Sequence, residues 1–453
     1  MRSGISACLI GLCLAILASA FLMNGCGSGV TPQVGPRPGA PTGLPTPSAA
    51  GPVNTYAGGH SPGEWAFTLD NSKNQFTYQP ITYPVPATDG AIQAAGGFSA
   101  LGSSLAYEVR GRAAVLRPGD STTPPVFAVP QAQCYTITGK MRFQYIAMFP
   151  GGAVFGPPDT TYTGPLLGYG SVVASTDSTG KTWYFEDLQG GAWPSPSTPS
   201  GNPPANIVEG PASFTATCST TGSQASISFS GTSNLNDFWA PAQLFTPIPS
   251  EAKSVIWIGP SGFFAADQSD PTQSTPTGAS IAGMAEPLSA LSTSAVTAGQ
   301  YLGLLYEAGN NPQNYGGIGS ASSAFSTAVG FGQVIPGGGT TLTGGIFPNG
   351  GTTGVPNADI QINLGKQDIT LNGLYPAASV TVLDPAQNCA NFVYFSLSGV
   401  VASGVSAQGY TTCTFPAVVV AGQLEGKYAI FVNSYNWAAQ YGGMPMQIYL
   451  FQQ

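Results

Sequence analysis

The sequence predicts an all-β protein: two β-sandwich or β-barrel domains, each with one disulfide, and very little helix. Three observations carry this. Apolar residues recur with period two rather than at helical spacing. The runs are short and bounded by Gly, Pro, Ser and Asn, which is turn chemistry. Glycine (61) and proline (40) make up over a fifth of the 453 residues, yet 42% of the chain is hydrophobic, enough apolar surface to bury real cores.

The elements follow in order. Gly63–Leu69 and Gln75–Gln79 are strand candidates. Ala106–Leu116 (AYEVRGRAAVL) puts Tyr107, Val109, Ala113 and Val115 on one face. In the next long strand Met141, Phe143, Tyr145, Ala147 and Phe149 share a face, opposite Lys140, Arg142 and Gln144. Gly170–Ser175, Thr182–Leu188, Phe214–Cys218, Ala225–Ser230 and Ser254–Ile258 continue the pattern. After a Pro/Ser/Thr stretch at 270–278 come Gln300–Glu307, Ala324–Phe331, Asp359–Leu364, Ser379–Leu383, Asn391–Leu397, Ala417–Val420, Lys427–Asn433 and Met446–Phe451. Glu286–Val296 (EPLSALSTSAV) is the one short helix the spacing allows. The glycine-rich stretch Ile335–Asp359 reads as a long loop; it lacks the Gly-Lys-Ser/Thr ending of a phosphate-binding loop.

A folded stretch of some 400 residues exceeds one ordinary core, so two domains are expected, about 55–270 and 285–453. Four cysteines fall in the folded part: Cys134, Cys218, Cys389 and Cys413. Two disulfides have three connectivities; Cys134–Cys218 with Cys389–Cys413 is favoured because it places one bridge in each half.

Ahead of the body lies an address. Arg2 precedes an apolar run, Leu9–Met23, too short to span a bilayer comfortably and laid out as a signal peptide over residues 1–25. Leu22-Met23-Asn24-Gly25-Cys26 resembles a bacterial lipobox. The resemblance implies that Cys26 becomes the lipidated first residue of the mature chain. Gly27 in place of Asp implies outer-membrane retention within that class. Residues 26–54 continue as a Pro/Gly-rich tract without apolar periodicity, a tether of extended polyproline character.

Composition excludes several chemistries. With 12 basic residues against 20 acidic, nucleic acid is not an expected partner, because phosphate neutralisation needs clustered cations. Gly59-His60-Ser61-Pro62-Gly63 matches the G-x-S-x-G pattern of serine hydrolases. The chain's single histidine sits inside that motif, however, so no separate base exists. Ser178-Thr179-Gly180-Lys181 and Ser250-Glu251-Ala252-Lys253 match S-x-x-K but lack the S-D-N and K-T-G partners. A glycosidase pair needs two carboxylates facing one cleft; Glu186 and Asp187, adjacent on a strand, point to opposite faces. Asp267 and Asp270 offer oxygen ligands for calcium without the spacing of a calcium loop, and the plainer reading is a solvated turn. No cofactor is expected.

The most unusual local feature is cationic. Glu108, Arg110 and Arg112 at alternate positions, and Lys140 with Arg142, place four of 12 basic residues on two strands. Arginine forks suit carboxylate, sulfate or phosphate, which makes this a candidate anion- or glycan-contacting face. The plainer alternative is a polar outer face on which Glu108 partly neutralises the arginines. Among six tryptophans, Trp193 and Trp437 lie in loop-like surroundings and are the candidates for stacking on sugar, while Trp183 and Trp257 read as core.

Only 7% of residues are charged, and residues 246–453 carry 12 charged groups. A body with few titratable groups changes its proton count little on folding, so tolerance of acid is expected. Taken together, the sequence points to an outer-membrane lipoprotein of the cell envelope, facing the periplasm or the cell surface. It would be held to the membrane through lipid on Cys26, with a non-catalytic binding or scaffolding role toward a glycan or protein partner. The alternatives are a polysaccharide hydrolase using carboxylates and a structural subunit of a surface assembly.

Overall fold

The computed structural model describes residues 51, 53–60, 63–70, 72–73, 75–78, 81–84, 87–88, 91–98, 102–117, 126–131, 133–154, 163–193, 207–208, 214–221, 224–229, 253–269, 280–307, 325–331, 339–347, 360–384, 411–424, 426–436 and 444–452. All of them belong to one compact unit, Arg37–Gln453. The signal segment, Cys26 and most of the tether lie outside the described residues. The architecture is all-β, and its ladders fall into three systems.

The first is an open antiparallel sheet. Its strands are β1 (Val53–His60), β2 (Gly63–Asp70), β3 (Gln75–Tyr78), β4 (Ile81–Pro84), β5 (Ala87–Thr88), β6 (Ala91–Phe98), β7 (Gly102–Val109), β8 (Ala113–Arg117) and β9 (Val126–Val129). They lie in the order β4-β3-β2-β1-β9-β8-β7-β6-β5. Strand β1 thus begins inside the predicted tether. The expected single strand 106–116 is instead the β7–β8 hairpin. Arg110, Gly111 and Arg112 form its turn, where Gly111 takes φ 68, a left-handed value that glycine adopts without a Cβ clash. The facing survives the reversal because Val109 pairs with Ala113 and Tyr107 with Val115, and partners across a ladder share a face.

The second system is a barrel. Strands β10 (Met141–Val154), β11 (Thr163–Thr176), β12 (Thr182–Trp193), β14 (Phe214–Thr221), β15 (Gln224–Phe229), β16 (Lys253–Ile258), β17 (Phe263–Ser269) and β18 (Ser280–Ala285) pair in succession. β10 meets β18 to close the ring, and the two-residue β13 (Ile207–Val208) rides on β12. Period two sorts the side chains. Met141, Phe143, Tyr145 and Ala147 enter the interior with Val172, Trp183, Phe185, Ile227, Ile256 and Phe264. On β14, Ala216 and Cys218 are buried while Thr215, Thr217 and Ser219 are exposed. Along β14 the described residues are thus apolar inward and polar toward solvent.

The third system is a second closed meander: β19 (Tyr301–Glu307), β20 (Phe325–Phe331), β21 (Thr341–Phe347), β22 (Ile360–Asn363), β23 (Leu374–Asp384), β24 (Thr411–Leu424), β25 (Lys427–Asn436) and β26 (Met444–Gln452). Part of the predicted 335–359 loop is therefore strand β21, whose Leu342 enters the interior. Before this barrel runs α1 (Thr293–Thr297), shorter than the helix expected over 286–296. Ser292 caps it by accepting from the Ala295 amide, which starts the helix there, and Val296 joins the barrel core.

Strands β24–β26 and β19 are buried on both faces. Val419, Ile430, Val432, Ile448, Leu450 and Leu305 fill the second barrel. Val418, Val420, Phe431, Tyr449, Phe451 and Leu304 point outward into a core shared with Phe127 and Val115 of the open sheet and with Ile146, Tyr169 and Phe263 of the first barrel. That double burial is why AVVVA and KYAIFV read as unbroken apolar runs. Phe127 packs edge-on against Phe263 and Phe431, with ring centroids 5.8 and 4.9 Å apart, so one aromatic cluster joins all three systems.

The disulfide Cys134–Cys218 is present, with Cα atoms 5.8 Å apart across 84 residues. It ties the segment entering the first barrel to β14. Gln131 stitches the same segment to β15 and β16, its main-chain oxygen accepting from Ala225 (2.8 Å) and its side-chain oxygen from Ile258 (2.7 Å). Cys389 and the side chain of Cys413 lie outside the described residues.

Candidate functional site

The two predicted cationic segments belong to different sheets and do not pair. Arg110 and Arg112 sit on the β7–β8 turn, Arg110 exposed and Arg112 half-buried. Glu108 is buried and accepts from Asn54 Nδ2 (3.1 Å) and from the Tyr56 hydroxyl. Tyr56 in turn accepts from the Gly111 amide at 2.9 Å, so the carboxylate pins the hairpin turn. Burial, with the neighbouring Glu108 charge adding to it, pushes the Tyr56 phenol well above its usual value. Glu108 therefore anchors a buried network beneath the turn that carries the two arginines.

Lys140 and Arg142 meet partners from β12 on the outer face of the first barrel. Lys140 Nζ pairs with Glu186 Oε1, both partly exposed. Arg142 is buried: its NH2 pairs with Asp187, NH1 donates to Ser171 Oγ at 3.1 Å, and Nε lies 3.6 Å from Glu286 Oε2. Its guanidinium is thus occupied by protein oxygens and is not presented to an external anion. The expectation that Glu186 and Asp187 face opposite ways is overturned by a β-bulge. The β11–β12 register shifts between Ser171 and Val173, and Asp187 takes φ 51, a left-handed conformation that Asp tolerates better than most residues. The extra residue turns Asp187 toward the strip that already holds Glu186. Two carboxylates gather on one face, and each is taken up by a cation.

This strip leads into the joint between the barrels. Glu286 accepts from the Asn372 amide (2.9 Å), Asn372 Nδ2 donates to Pro287 O (2.7 Å), and Gln144 Nε2 donates to Asn372 O (2.7 Å). Gln367 Oε1 accepts from the Leu291 and Gly373 amides. Deeper in, Asn433 and Gln447 are direct partners on β25 and β26. Gln447 Nε2 donates to Asn433 Oδ1 (3.0 Å), while Asn433 Nδ2 donates across the joint to Ala147 O (3.0 Å) and Gly168 O (2.7 Å). Tyr169, facing the joint, has its phenol raised by burial and, secondarily, by the charge of Asp368. Close in sequence to these contacts, Leu288 and Ile369 are 64% and 86% exposed, and Tyr184 of β12 is also exposed. The sequence reading missed this joint, because its residues come from six separate stretches, and only Gln144, Asn433 and Gln447 are marked by polarity within apolar strands.

The remaining candidates are placed as follows. His60 ends β1 and pairs with Gly63 of β2, so G-x-S-x-G joins two antiparallel strands, not the strand and helix of a nucleophile elbow. Ser178–Lys181 is the β11–β12 turn, where Asp177 Oδ1 accepts from the Thr179 amide (3.0 Å) and hydroxyl (2.9 Å) and from the Lys181 amide (3.1 Å). Partial desolvation of Asp177 is outweighed by hydrogen bonds from Thr179 and Thr182, holding its carboxyl at about 2. Trp193 ends β12 opposite Leu167, and Asp267 pairs with Val255 and Ser280 in β17; the side chains of both lie outside the described residues, as do Trp437 and Asp270. Among the described residues no group of three His, Cys, Asp or Glu gathers as a metal site. No described helix is long and apolar enough to cross a membrane.

No family model and no curated protein matches the chain. Among solved structures it is similar to a tryptophan-to-alanine mutant of the vaccine antigen Transferrin Binding Protein B (TbpB) from Haemophilus parasuis Hp5. That likeness has 7% identity and a TM-score of 0.25 over 93% of this chain and 99% of that one. It is also similar to isotype 1 TbpB from serogroup B Neisseria meningitidis, at 8% identity and a TM-score of 0.23 over 90% of this chain and 100% of that one. TM-scores this low do not establish a shared fold.

Proposed function

We propose that the chain is an outer-membrane lipoprotein, held by lipid on Cys26, whose folded body binds or scaffolds at the cell envelope. The observation that carries this reading is the construction of the body. Two barrels with apolar interiors are fused through one aromatic core and a hydrogen-bonded joint, and β14 turns its exposed face, Thr215, Thr217 and Ser219, to water. The outward apolar residues of the two barrels are spent on the core they share with the open sheet, and β14 presents polar residues to water. Attachment then falls to the lipid, with a second anchoring signal where one chain is too weak. The body's described charges mostly fix its own turns and joint, as Glu108, Asp177, Arg142 and Glu286 do. What it offers a partner is a rigid surface.

The test is metabolic labelling with a fatty-acid analogue followed by envelope fractionation. The wild type should be labelled and sediment with outer membranes. Cys26→Ala should lose the label and the sedimentation while keeping its unfolding midpoint. An unlabelled wild type, or a Cys26→Ala protein that stays in the membrane, contradicts the reading.

A further inference from the structure

We propose that the joint between the barrels holds one ordered water molecule, seated over Ser171 between the side-chain oxygens of Gln144 and Gln189. The three residues form one row on the outer face of the first barrel, Gln144 of β10 opposite Ser171 of β11, and Ser171 opposite Gln189 of β12. All three are fully buried. Two strand spacings separate the glutamines by about 10 Å between backbones, a span that two glutamine side chains and one water can bridge.

Both amides are oriented by what their nitrogens do. Gln144 Nε2 donates to Asn372 O at 2.7 Å, and Gln189 Nε2 donates to Asp187 Oδ1 at 3.4 Å. Flipping either would set oxygen against oxygen, so in each case the oxygen is the atom left over. Neither Gln144 Oε1 nor Gln189 Oε1 has a hydrogen-bond partner among the described residues. A buried acceptor without a donor costs about 1–3 kcal/mol, so two on one row of the wall call for a donor.

The chemistry of that ligand follows from the third member. Ser171 Oγ accepts from Arg142 NH1, which has no lone pair to offer in return, so the serine keeps its own proton to donate. The site therefore asks for two donors and one acceptor in one small species. Water supplies both: it donates to the two amide oxygens and accepts from Ser171, the three bonds typical of a buried water. Sodium, potassium or ammonium would satisfy the two oxygens but has no lone pair for the serine proton and would sit beside the Arg142 guanidinium. Through Gln144 and Asn372 the water would extend the polar joint from the first barrel's wall to the loop before β23.

A high-resolution crystal structure of the protein, with a parallel thallium soak, tests this without any substitution. Expected is one peak about 2.5–3.0 Å from all three oxygens and no anomalous signal there after the soak. An empty site, a protein donor on either amide oxygen, or a thallium peak overturns the proposal. In solution, the residence time of internal water read by oxygen-17 relaxation dispersion should fall about fivefold in Ser171→Ala, the equivalent of one lost hydrogen bond. An unchanged residence time removes the water from its seat over Ser171.

Discussion

Replacing Asn433 with leucine should destabilise the protein by about 1–3 kcal/mol, although the substitution is nearly isosteric and sits outside any site of chemistry. Asn433 is fully buried, and its amide makes three hydrogen bonds: from Gln447 Nε2 at 3.0 Å, to Ala147 O at 3.0 Å and to Gly168 O at 2.7 Å. Leucine keeps the volume, so no cavity forms, but it removes a side-chain donor from two ladder carbonyls and strands one side-chain NH2. At about 1–1.5 kcal/mol per bond, partly offset by the apolar transfer of leucine, the sum falls in that range. Two of the three bonds join the barrels, so the loss should also appear as lowered cooperativity. Urea unfolding followed by both tryptophan fluorescence and far-ultraviolet dichroism reads both effects. Wild type should give coincident transitions and Asn433→Leu should give separated ones, while Thr381→Ala, which removes an exposed Thr381–Thr414 bond, should change stability by less than about 0.5 kcal/mol. A loss below about 1 kcal/mol with coincident transitions would refute the view that this joint holds the barrels together.

The remaining expectations concern charge, backbone and pH. Arg142→Met, which strands the Asp187 and Glu286 carboxylates, should cost about 3–5 kcal/mol by urea unfolding, whereas Lys140→Met, breaking an exposed pair, should cost under about 1. Gly139 and Gly180 both have left-handed φ, +83 and +70, but a Cβ on Gly180 would lie 2.5 Å from Tyr135 O whereas one on Gly139 meets nothing within 4 Å. Gly139→Ala should therefore cost about 1–2 kcal/mol and Gly180→Ala clearly more, as compared by thermal unfolding midpoints. Burial raises the phenols of Tyr107, Tyr169 and Tyr449 above their unfolded value. Their contribution is complete below pH ~10 and is lost above it, at about 1.4 kcal/mol per pH unit for each tyrosine. On the acid side Asp177 is held at about 2 and Asp70 is lowered by its bonds from Ser72 and Lys73, so their contribution is lost only as the pH falls below ~4. Guanidinium midpoints should be flat from pH 9 to 4.5 and collapse at pH 11; a fall of several kcal/mol between pH 7 and 4 contradicts this.

The strands were legible where one face is buried and alternation is clean, as in Met141–Ala147, whose odd positions fill the first barrel. Where both faces are buried, as in Val418–Ala421, the apolar run still marked a strand but not the two cores it separates. Strand β21 stayed hidden because Gly344 and Gly345 interrupt its alternation. The site was less legible, for a physical reason. A bulge is a property of two strands in register, so nothing within Thr182–Leu188 announces that Asp187 will turn toward Arg142. The partners of Arg142 lie on β11, in the β12 bulge and just after β18, and Asn433 meets Ala147 across 286 residues. A polar residue inside an apolar strand, such as Gln144 or Asn433, was the available signal. Read as a partner for another buried segment rather than for solvent, it points to the joint.

A binding role requires that this body engage its partner without turning it over. The direct measurement is the unfolding midpoint of the purified protein with oligomers of envelope glycans, calcium and simple anions, each incubation mixture then being analysed by mass spectrometry. A ligand at 100 times its dissociation constant should add about 2.7 kcal/mol of stability, with the glycan recovered at its original mass. Release of shortened glycan would contradict a binding role and return the carboxylates of the Glu186–Asp187 strip to consideration as catalytic groups.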